Sequence, residues 1–270
     1  MNTHPLLSAR DIRTHFPVTG GLWKRVTGSV RAVDGVSLDV YPGEIVALVG
    51  ESGCGKSTLG FSLLGLTPPT AGTLELLGQS IDLKNPASWN AFRRDFQIVF
   101  QDPHTSLNPR LTVFELLTEP MRVHGIVPVA RLREEAASLL RRVGLDEDAL
   151  DRFPHAFSGG QRQRLCIARA LGVRPRLIVC DEVVSALDVS VQAQIVNLLL
   201  QLKREDGLAL LFITHDLSLV RAIADRVLVM NAGRIVEQGA TAELFHAPRE
   251  DYTRALLAAV PRIARRAPVA

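Results

Sequence analysis

Gly50–Thr58 reads GESGCGKST and fits the phosphate-binding pattern G-x-x-x-x-G-K-[ST], with Gly50, Gly55, Lys56 and Ser57 at the fixed places. A glycine-rich turn can match this pattern by chance, so its flanks decide the reading. Glu44–Val49 (EIVALV) is a short apolar run with the character of a buried strand, and Ser57–Leu66 continues with helical spacing. Gly50, Gly53 and Gly55 let the backbone curl so that successive N–H groups point inward, where a side chain would hold a phosphate away. The loop Gly50, Glu51, Ser52, Gly53, Cys54, Gly55, Lys56, Ser57 and Thr58 therefore predicts a nucleoside triphosphate site at the positive end of a helix. Lys56 supplies a point charge for the β- and γ-phosphates, and the Ser57 hydroxyl is a ligand for Mg²⁺.

The rest of the composition is compatible with this and adds little. A chain of 270 residues, 47% hydrophobic and 22% charged, supports a full core as one large domain or two small ones. A net charge of +3 spread along the chain does not argue for nucleic acid. Cys54, Cys166 and Cys180 form no metal-spaced pair, which predicts a reducing compartment, no disulfide framework and no iron–sulfur cluster. No apolar run approaches the ~18 residues of a spanning helix, and MNTHPLLSAR lacks a signal-peptide core, so a membrane role is expected to come through partners.

Along the chain, Leu6–Arg13 and Val30–Val40 alternate like strands, with GGLWKRVTG between them as a glycine-rich, basic loop inserted in a hairpin. Thr73–Leu77 and Phe96–Phe100 are further strand candidates. From about Pro103 the texture is helical: Val113–His124 and Ala130–Val143 are amphipathic, with no strand pattern between them. Helix and strand then alternate from Gln161 to Glu237. The expected fold is α/β, a phosphate-loop NTPase core with a mainly parallel sheet, an antiparallel β subdomain and an inserted α-helical subdomain.

Two further stretches carry chemistry. Leu177–Glu182 (LIVCDE) is an apolar strand ending in two carboxylates. Running beside the loop strand, it is expected to bring Asp181 to the Mg²⁺ held by Ser57, leaving Glu182 to orient and polarise the attacking water. Phe157–Gln161 (FSGGQ) opens the Gln161–Leu171 helix with a serine and two glycines. A hydroxyl, unshielded N–H groups and a helix dipole aimed at one point make a second phosphate site. One chain has little use for two such sites on one nucleotide, so the helix end of one subunit is expected to complete the pocket of another.

At this point the sequence resembles the ATP-binding subunits of ABC transporters over nearly its whole length. The family signature matches Ser158, Gly159, Gly160 and Gln161. Its magnesium-binding strand matches LIVCDE, and the following loop matches Ser185–Asp188. Its γ-phosphate-sensing glutamine, also placed at the metal, matches Gln101, and its switch histidine matches His215. The resemblance implies Glu182, His215 and Gln101 as catalytic residues, and Ser57, Gln101 and Asp181 at Mg²⁺. It further implies Asp188 as a contact across a dimer. QDPHTSLNPR, HAFSGGQRQR, SALDVSVQAQ and the tail DYTRALLAAVP are similar to the dipeptide, oligopeptide and nickel importer group, in the ATPase partner that lacks an iron–sulfur extension. Residues 1–245 would then be the ATP-binding domain, with the helical subdomain inserted at about 103–160, and 246–270 an importer-type tail.

The implied cofactors are ATP and Mg²⁺. The implied partners are two membrane-spanning permease subunits, a second ATPase subunit (a different chain or a second copy) and an extracytoplasmic solute-binding protein, without nucleic acid. The chain would lie on the cytoplasmic face of the cell membrane. Two alternatives stand beside this: a soluble ABC-type ATPase acting on nucleic acid or ribosomes, and an exporter subunit. The first usually has a long coiled coil or two ATPase halves, neither seen here. Against the second stand the importer-like motifs and tail.

The sequence departs from the family, or leaves its pattern ambiguous, at four points. Phe157 stands for the usual leucine of the signature, and the tail has Glu250-Asp251-Tyr252 for His-Pro-Tyr. The aromatic residue that stacks on adenine is Phe16 by pattern, but the inserted loop breaks its spacing to Gly50, and Trp23 or a partner residue is the alternative. Val183 stands where the family has proline after the catalytic glutamate. Proline fixes φ and removes a donor, so the Val183→Pro variant is expected to hydrolyse ATP faster than the wild type. Equal or lower turnover in a steady-state phosphate-release assay would contradict this.

Overall fold

The computed structural model describes residues 4–20 and 25–259. Three of its strands, Ile45–Val49, Leu177–Asp181 and Ala209–Ile213, are buried at every position. This is the pattern of parallel strands covered on both faces. Their side chains sort with a period of two: Ile178, Cys180 and Phe212 enter one apolar cluster, Val179, Leu211 and Ile213 the cluster on the opposite face.

In chain order, β1 (Leu7–Gly20) and β2 (Arg25–Val40) form a long antiparallel pair. The loop strand β3 (Ile45–Val49) leads into α1 (Lys56–Leu63), and β4 (Ala71–Leu76) and the short β5 (Gln79–Ser80) follow. After α2 (Pro86–Asn90) come β6 (Phe96–Val99), α3 (Pro103–Ser106), α4 (Val113–Val123), α5 (Leu132–Arg142) and α6 (Gly159–Leu171). Alternation resumes with β7 (Leu177–Asp181), α7 (Val189–Asp206), β8 (Ala209–Ile213), α8 (Leu217–Ile223) and β9 (Arg226–Asn231). The chain then turns into β10 (Arg234–Ala240), α9 (Thr241–His246) and α10 (Asp251–Ala258).

The strands make two sheets, an antiparallel one ordered β2-β1-β4-β5 and a six-stranded one ordered β10-β9-β3-β8-β7-β6. All neighbours in the larger sheet are parallel except the β9–β10 hairpin. The mixed α/β class with a parallel sheet, an antiparallel sheet and a helical stretch is as expected. α1 lies between the two sheets: Leu59 and Leu63 join the cluster shared with β1, β2 and β4, and Thr14 and Ser62, both buried, hydrogen-bond at 2.7 Å. The helices α4, α5 and α6 bury Leu117, Met121, Leu140 and Leu165 in one cluster continuous with Ile178 and Phe212 of the sheet.

Three local expectations need correction. GGLWKRVTG is not simply a loop, because pairing continues from Val18↔Gly28 to Gly20↔Arg25 and both strands run on into it. Only residues 21–24, Trp23 among them, lie outside the described residues. The strand ending in Asp181 does not run beside the loop strand, since β8 stands between them. The short pieces β5, α2 and α3 went unpredicted. They are too brief for periodicity, although Asn85 and Asp102 followed by proline are helix-start signals, and both side chains cap the next turn at 2.8–3.0 Å.

Phe212 is fully buried on the central strand β8. Phe212→Ala is expected to destabilise the chain by about 3–5 kcal/mol, read as a lowered midpoint in urea with an unchanged slope.

Candidate nucleotide-binding site

β3 ends at Val49 and the chain turns at Gly50, where φ is +151°; at Gly55 φ is +107°. Neither position has room for a side chain. A Cβ on Gly50 would come within 2.1 Å of the Met230 carbonyl oxygen, and one on Gly55 within 2.0 Å of that of Ala32. The loop is therefore clamped between β2 and β9. Gly233 N–H donates to Cys54 O at 2.9 Å, and Asp34 N–H donates to Gly233 O at 2.8 Å. The helix then begins at Lys56, one residue before the predicted start.

Lys56 is 5% exposed, and its ammonium donates to the carbonyls of Gly50 at 2.9 Å and Glu51 at 2.8 Å. Cys54 Sγ is a further contact at 3.9 Å, and a buried cation held by neutral dipoles is only partly compensated. Ser57 Oγ donates to Asp181 Oδ1 at 2.9 Å. The two residues meet although β7 lies two strands from β3, because α1 crosses the end of β8 and carries Ser57 over it. Burial pushes the Asp181 carboxyl up from the usual carboxylate range and Glu182 pushes it further, while Ser57 and Lys56 pull it down. A carboxylate whose burial opposes its charge, beside a hydroxyl in an open cleft, is a donor set that fits a hard divalent cation. Among the described residues no group of three or more His, Cys, Asp or Glu could hold a metal by itself. Mg²⁺ needs no such cage, since it keeps waters and phosphate oxygens as most of its ligands.

A cleft of about 490 Å³ opens over the loop. Ser52–Thr58, Gln101 and Glu182 line it, together with Val30–Ala32 of β2 and Ala232–Gly233 of the β9–β10 turn. The sequence reading did not include the last two segments. The turn itself was legible, but its approach to the loop is a long-range packing result. Gln101 Nε2 donates to Ser185 Oγ at 3.2 Å, and that hydroxyl donates to Glu182 O at 3.0 Å. His215 Nδ1 lies 3.4 Å from Glu182 Oε1 on the solvent side of the cleft. Gln101, Asp181, Glu182 and His215, which come from three separate segments, are thus gathered at the C-terminal ends of the strands around Ser57. Val183 is buried in the cluster that joins the sheet to the helices, so packing restrains its side chain while φ is left without the restraint a proline would add.

Phe16 does not line the cleft. It is 42% exposed and pairs across the β1–β2 ladder with Val30, which does line it, so both side chains stand on one face of the hairpin. Ser158, Gly159, Gly160 and Gln161 are also absent from the cleft of their own chain. Ser158 caps α6 in a reciprocal box, its N–H donating to Gln161 Oε1 at 3.0 Å and its hydroxyl accepting from Gln161 N–H at 3.4 Å. Gly160 has a packing role as well. A Cβ there would meet Val191 Cγ1 at 2.4 Å, so its glycine serves close packing of α6 on α7. Gly159 sits 3.8 Å from Leu187 by the same measure, and the next residue, Asp188, is exposed and makes no side-chain cap to α7. The serine–glycine end and Asp188 therefore share one surface.

The fold and this site define a nucleotide-binding cassette. A family profile described as ABC transporter matches residues 33–185, more than half of the chain. The glutathione import ATP-binding proteins GsiA of Shigella flexneri and Escherichia coli K12 are each 52% identical to it over 257 residues. These alignments cover 95% of this chain and 41% of the relative, so the chain spans about two fifths of the length of the curated relatives it matches. Among solved structures, cbiO1 from Clostridium perfringens, part of the ABC transporter complex cbiONQ, superposes with a TM-score of 0.77 at 27% identity. It covers 90% of this chain and 91% of its own. The dimeric cassette MJ0796 bound to ADP and Pi gives 0.76 at 28% identity, covering 87% and 98%. The chain belongs to the ABC transporter family.

A helix N-terminus lowers a thiol pKa, but burial dominates at Cys54 and pushes its thiol up, with the Lys56 charge opposing. Cys166 and Cys180 are buried, and burial raises the Cys166 thiol to about 11. The native chain is therefore expected to alkylate at Cys54 alone, more slowly than free cysteine at pH 7 and faster as pH rises above the ordinary thiol range, with ATP protecting. Mass-spectrometric labelling at Cys54 as fast as free cysteine, or unaffected by ATP, would contradict this.

Proposed function

We propose that this chain is an ATP-hydrolysing subunit that energises import of peptides or related small solutes through a membrane ABC transporter. The observation that carries the proposal is the joining of Ser57 and Asp181 at 2.9 Å beneath the buried Lys56, with Glu182 and His215 at the cleft's edge. ATP is the substrate of the Gly50–Thr58 loop. Backbone N–H groups of the loop, other than those of Glu51 and Cys54, and Lys56 bind its phosphates, and Ser57, Asp181 and Gln101 would hold Mg²⁺. When bound, Mg²⁺ supplies neutralisation of the charge that develops on the phosphate oxygens. Glu182 orients the attacking water and polarises it, and His215, hydrogen-bonded to Glu182, keeps that carboxylate aimed and contacts the γ-phosphate. Phe16 stacks on the adenine from the hairpin face it shares with Val30. Catalysis here is chiefly positioning and charge stabilisation.

The working unit is a head-to-tail pair of ATPase chains. Ser158, Gly159, Gly160 and Gln161 act on the nucleotide of the facing subunit, and Asp188 contacts that subunit. Support comes from their position outside their own cleft and on one surface. The partner is a different ATPase chain or a second copy. Residues 1–245 act as the ATP-binding domain, with the stretch 103–160 as its helical subdomain, and 246–270 as the tail. The helical subdomain receives cytoplasmic helices of two permease subunits, for which a cleft of about 400 Å³ beside α4 is available, lined by apolar residues such as Leu66, Phe100 and Val123 and by Arg93, Glu119 and Arg169. Gln101 links closure of the ATPase pair to that subdomain. Among the described residues no helix is long and apolar enough to cross a membrane, which is compatible with a peripheral position on the cytoplasmic face. An extracytoplasmic binding protein delivers the solute, and glutathione, named for the relatives, is a first candidate.

Glu182→Gln is expected to keep ATP binding while turnover falls at least ~100-fold. Near-normal phosphate release would remove Glu182 from this role. Purification of the tagged chain from native membranes is expected to bring two multi-span proteins and a second ATPase. Recovery from the soluble fraction with ribosomal or DNA-repair proteins would overturn the transport reading.

A further inference from the structure

The C-terminal helix reaches the phosphate-binding loop. Glu51 N–H donates to the Tyr252 hydroxyl oxygen at 3.1 Å, across 201 residues of sequence. Glu51 N–H belongs to the same peptide unit as Gly50 C=O, which accepts the Lys56 ammonium at 2.9 Å. That unit is planar, so fixing its N–H end orients its carbonyl end. Gly50 has no side chain to restrain the unit by packing, and its φ of +151° lies in a broad region open to glycine. Beside the close approach of the Met230 backbone, hydrogen bonds at its two ends restrain the unit.

Tyr252 is itself well held. Its ring packs on the cluster containing Ala47 and Val49, the residues of β3 that lead into the loop, together with Val220 and Val229. The entry of α10 is fixed by the Glu237 carboxylate, which accepts from Arg249 N–H at 2.8 Å and Glu250 N–H at 3.1 Å. Burial pushes the Tyr252 hydroxyl above its ordinary range, so it is neutral at physiological pH.

We infer that Tyr252 is a positioning residue for the nucleotide site: its hydroxyl holds the Gly50–Glu51 peptide so that Lys56 is presented to the phosphates. Nucleotide affinity then depends on the docking of α10, and by linkage bound nucleotide favours the docked helix. This rests on the assignment of Gly50–Thr58 as the ATP site.

The test is titration of the full chain with N-methylanthraniloyl-ATP and magnesium, which yields Kd and the number of competent sites separately. Tyr252→Phe keeps the ring packing and removes one hydrogen bond. It is expected to raise Kd ~3- to 10-fold with one site per chain retained. Glu237→Ala, which frees the entry of α10 while leaving the hydroxyl in place, is expected to raise Kd in the same direction. A merely structural role would lower the number of competent sites and leave Kd where it is. That result, or a Kd within twofold of wild type in both variants, overturns the inference. Failure of the wild-type chain to bind the nucleotide would instead overturn the ATP-site assignment.

Discussion

A lysine ammonium removed from water must find partners, and at Lys56 it finds two backbone carbonyls of its own loop. Carbonyl dipoles compensate a charge only in part, so the cation stays poised for an anion. Much of the surrounding fold follows from keeping it there. β3 has to end below it, two glycines have to pass close under the neighbouring backbones, and α1 has to start at the lysine itself. The parallel sheet meets these demands together, because its strands all deliver their C-terminal ends, and the residues that follow them, to one edge.

That edge also explains how four sequence segments become one site. β6, β7 and β8 lead into Gln101, Asp181–Glu182 and His215 in turn, and the order β3-β8-β7-β6 fans them outward from the loop. Asp181 is one strand further from β3 than adjacency would allow, and α1 bridges the gap by lying across β8 with Ser57 on its first turn. The hydroxyl–carboxylate pair at 2.9 Å is the product of that crossing. Glu182 then sits just beyond, with Ser185 joining it to Gln101.

Two features lie off this edge and take their meaning from geometry alone. The serine–glycine start of α6 faces away from its own cleft, and Asp188 stands beside it. In the proposed head-to-tail pair, this helix start serves the nucleotide of the facing subunit. The tail is the other feature. α10 folds back over β3 and β9, anchored at Glu237, and places a tyrosine hydroxyl on the loop from the far end of the chain.

The sequence by itself determined the phosphate loop, the strand ending in Asp181 and Glu182, the signature and the α/β class. Each is a local pattern whose chemistry depends on neighbours a few residues away, and buried parallel strands are continuous apolar runs. It did not determine that β8 separates β7 from β3, since strand order depends on packing among segments far apart in the chain. Nor did it show that β1 and β2 run on into the basic loop, where glycines hide the ladder. That Gly160 also lets α6 pack closely on Val191 is decided by the folded chain. Cys54 followed the same rule: a helix start favours the thiolate, but burial outweighs it, and burial is a property of the folded chain. Val30–Ala32, Gly233 and Tyr252 meet the loop only because tertiary structure brings β2, the β9–β10 turn and α10 to it.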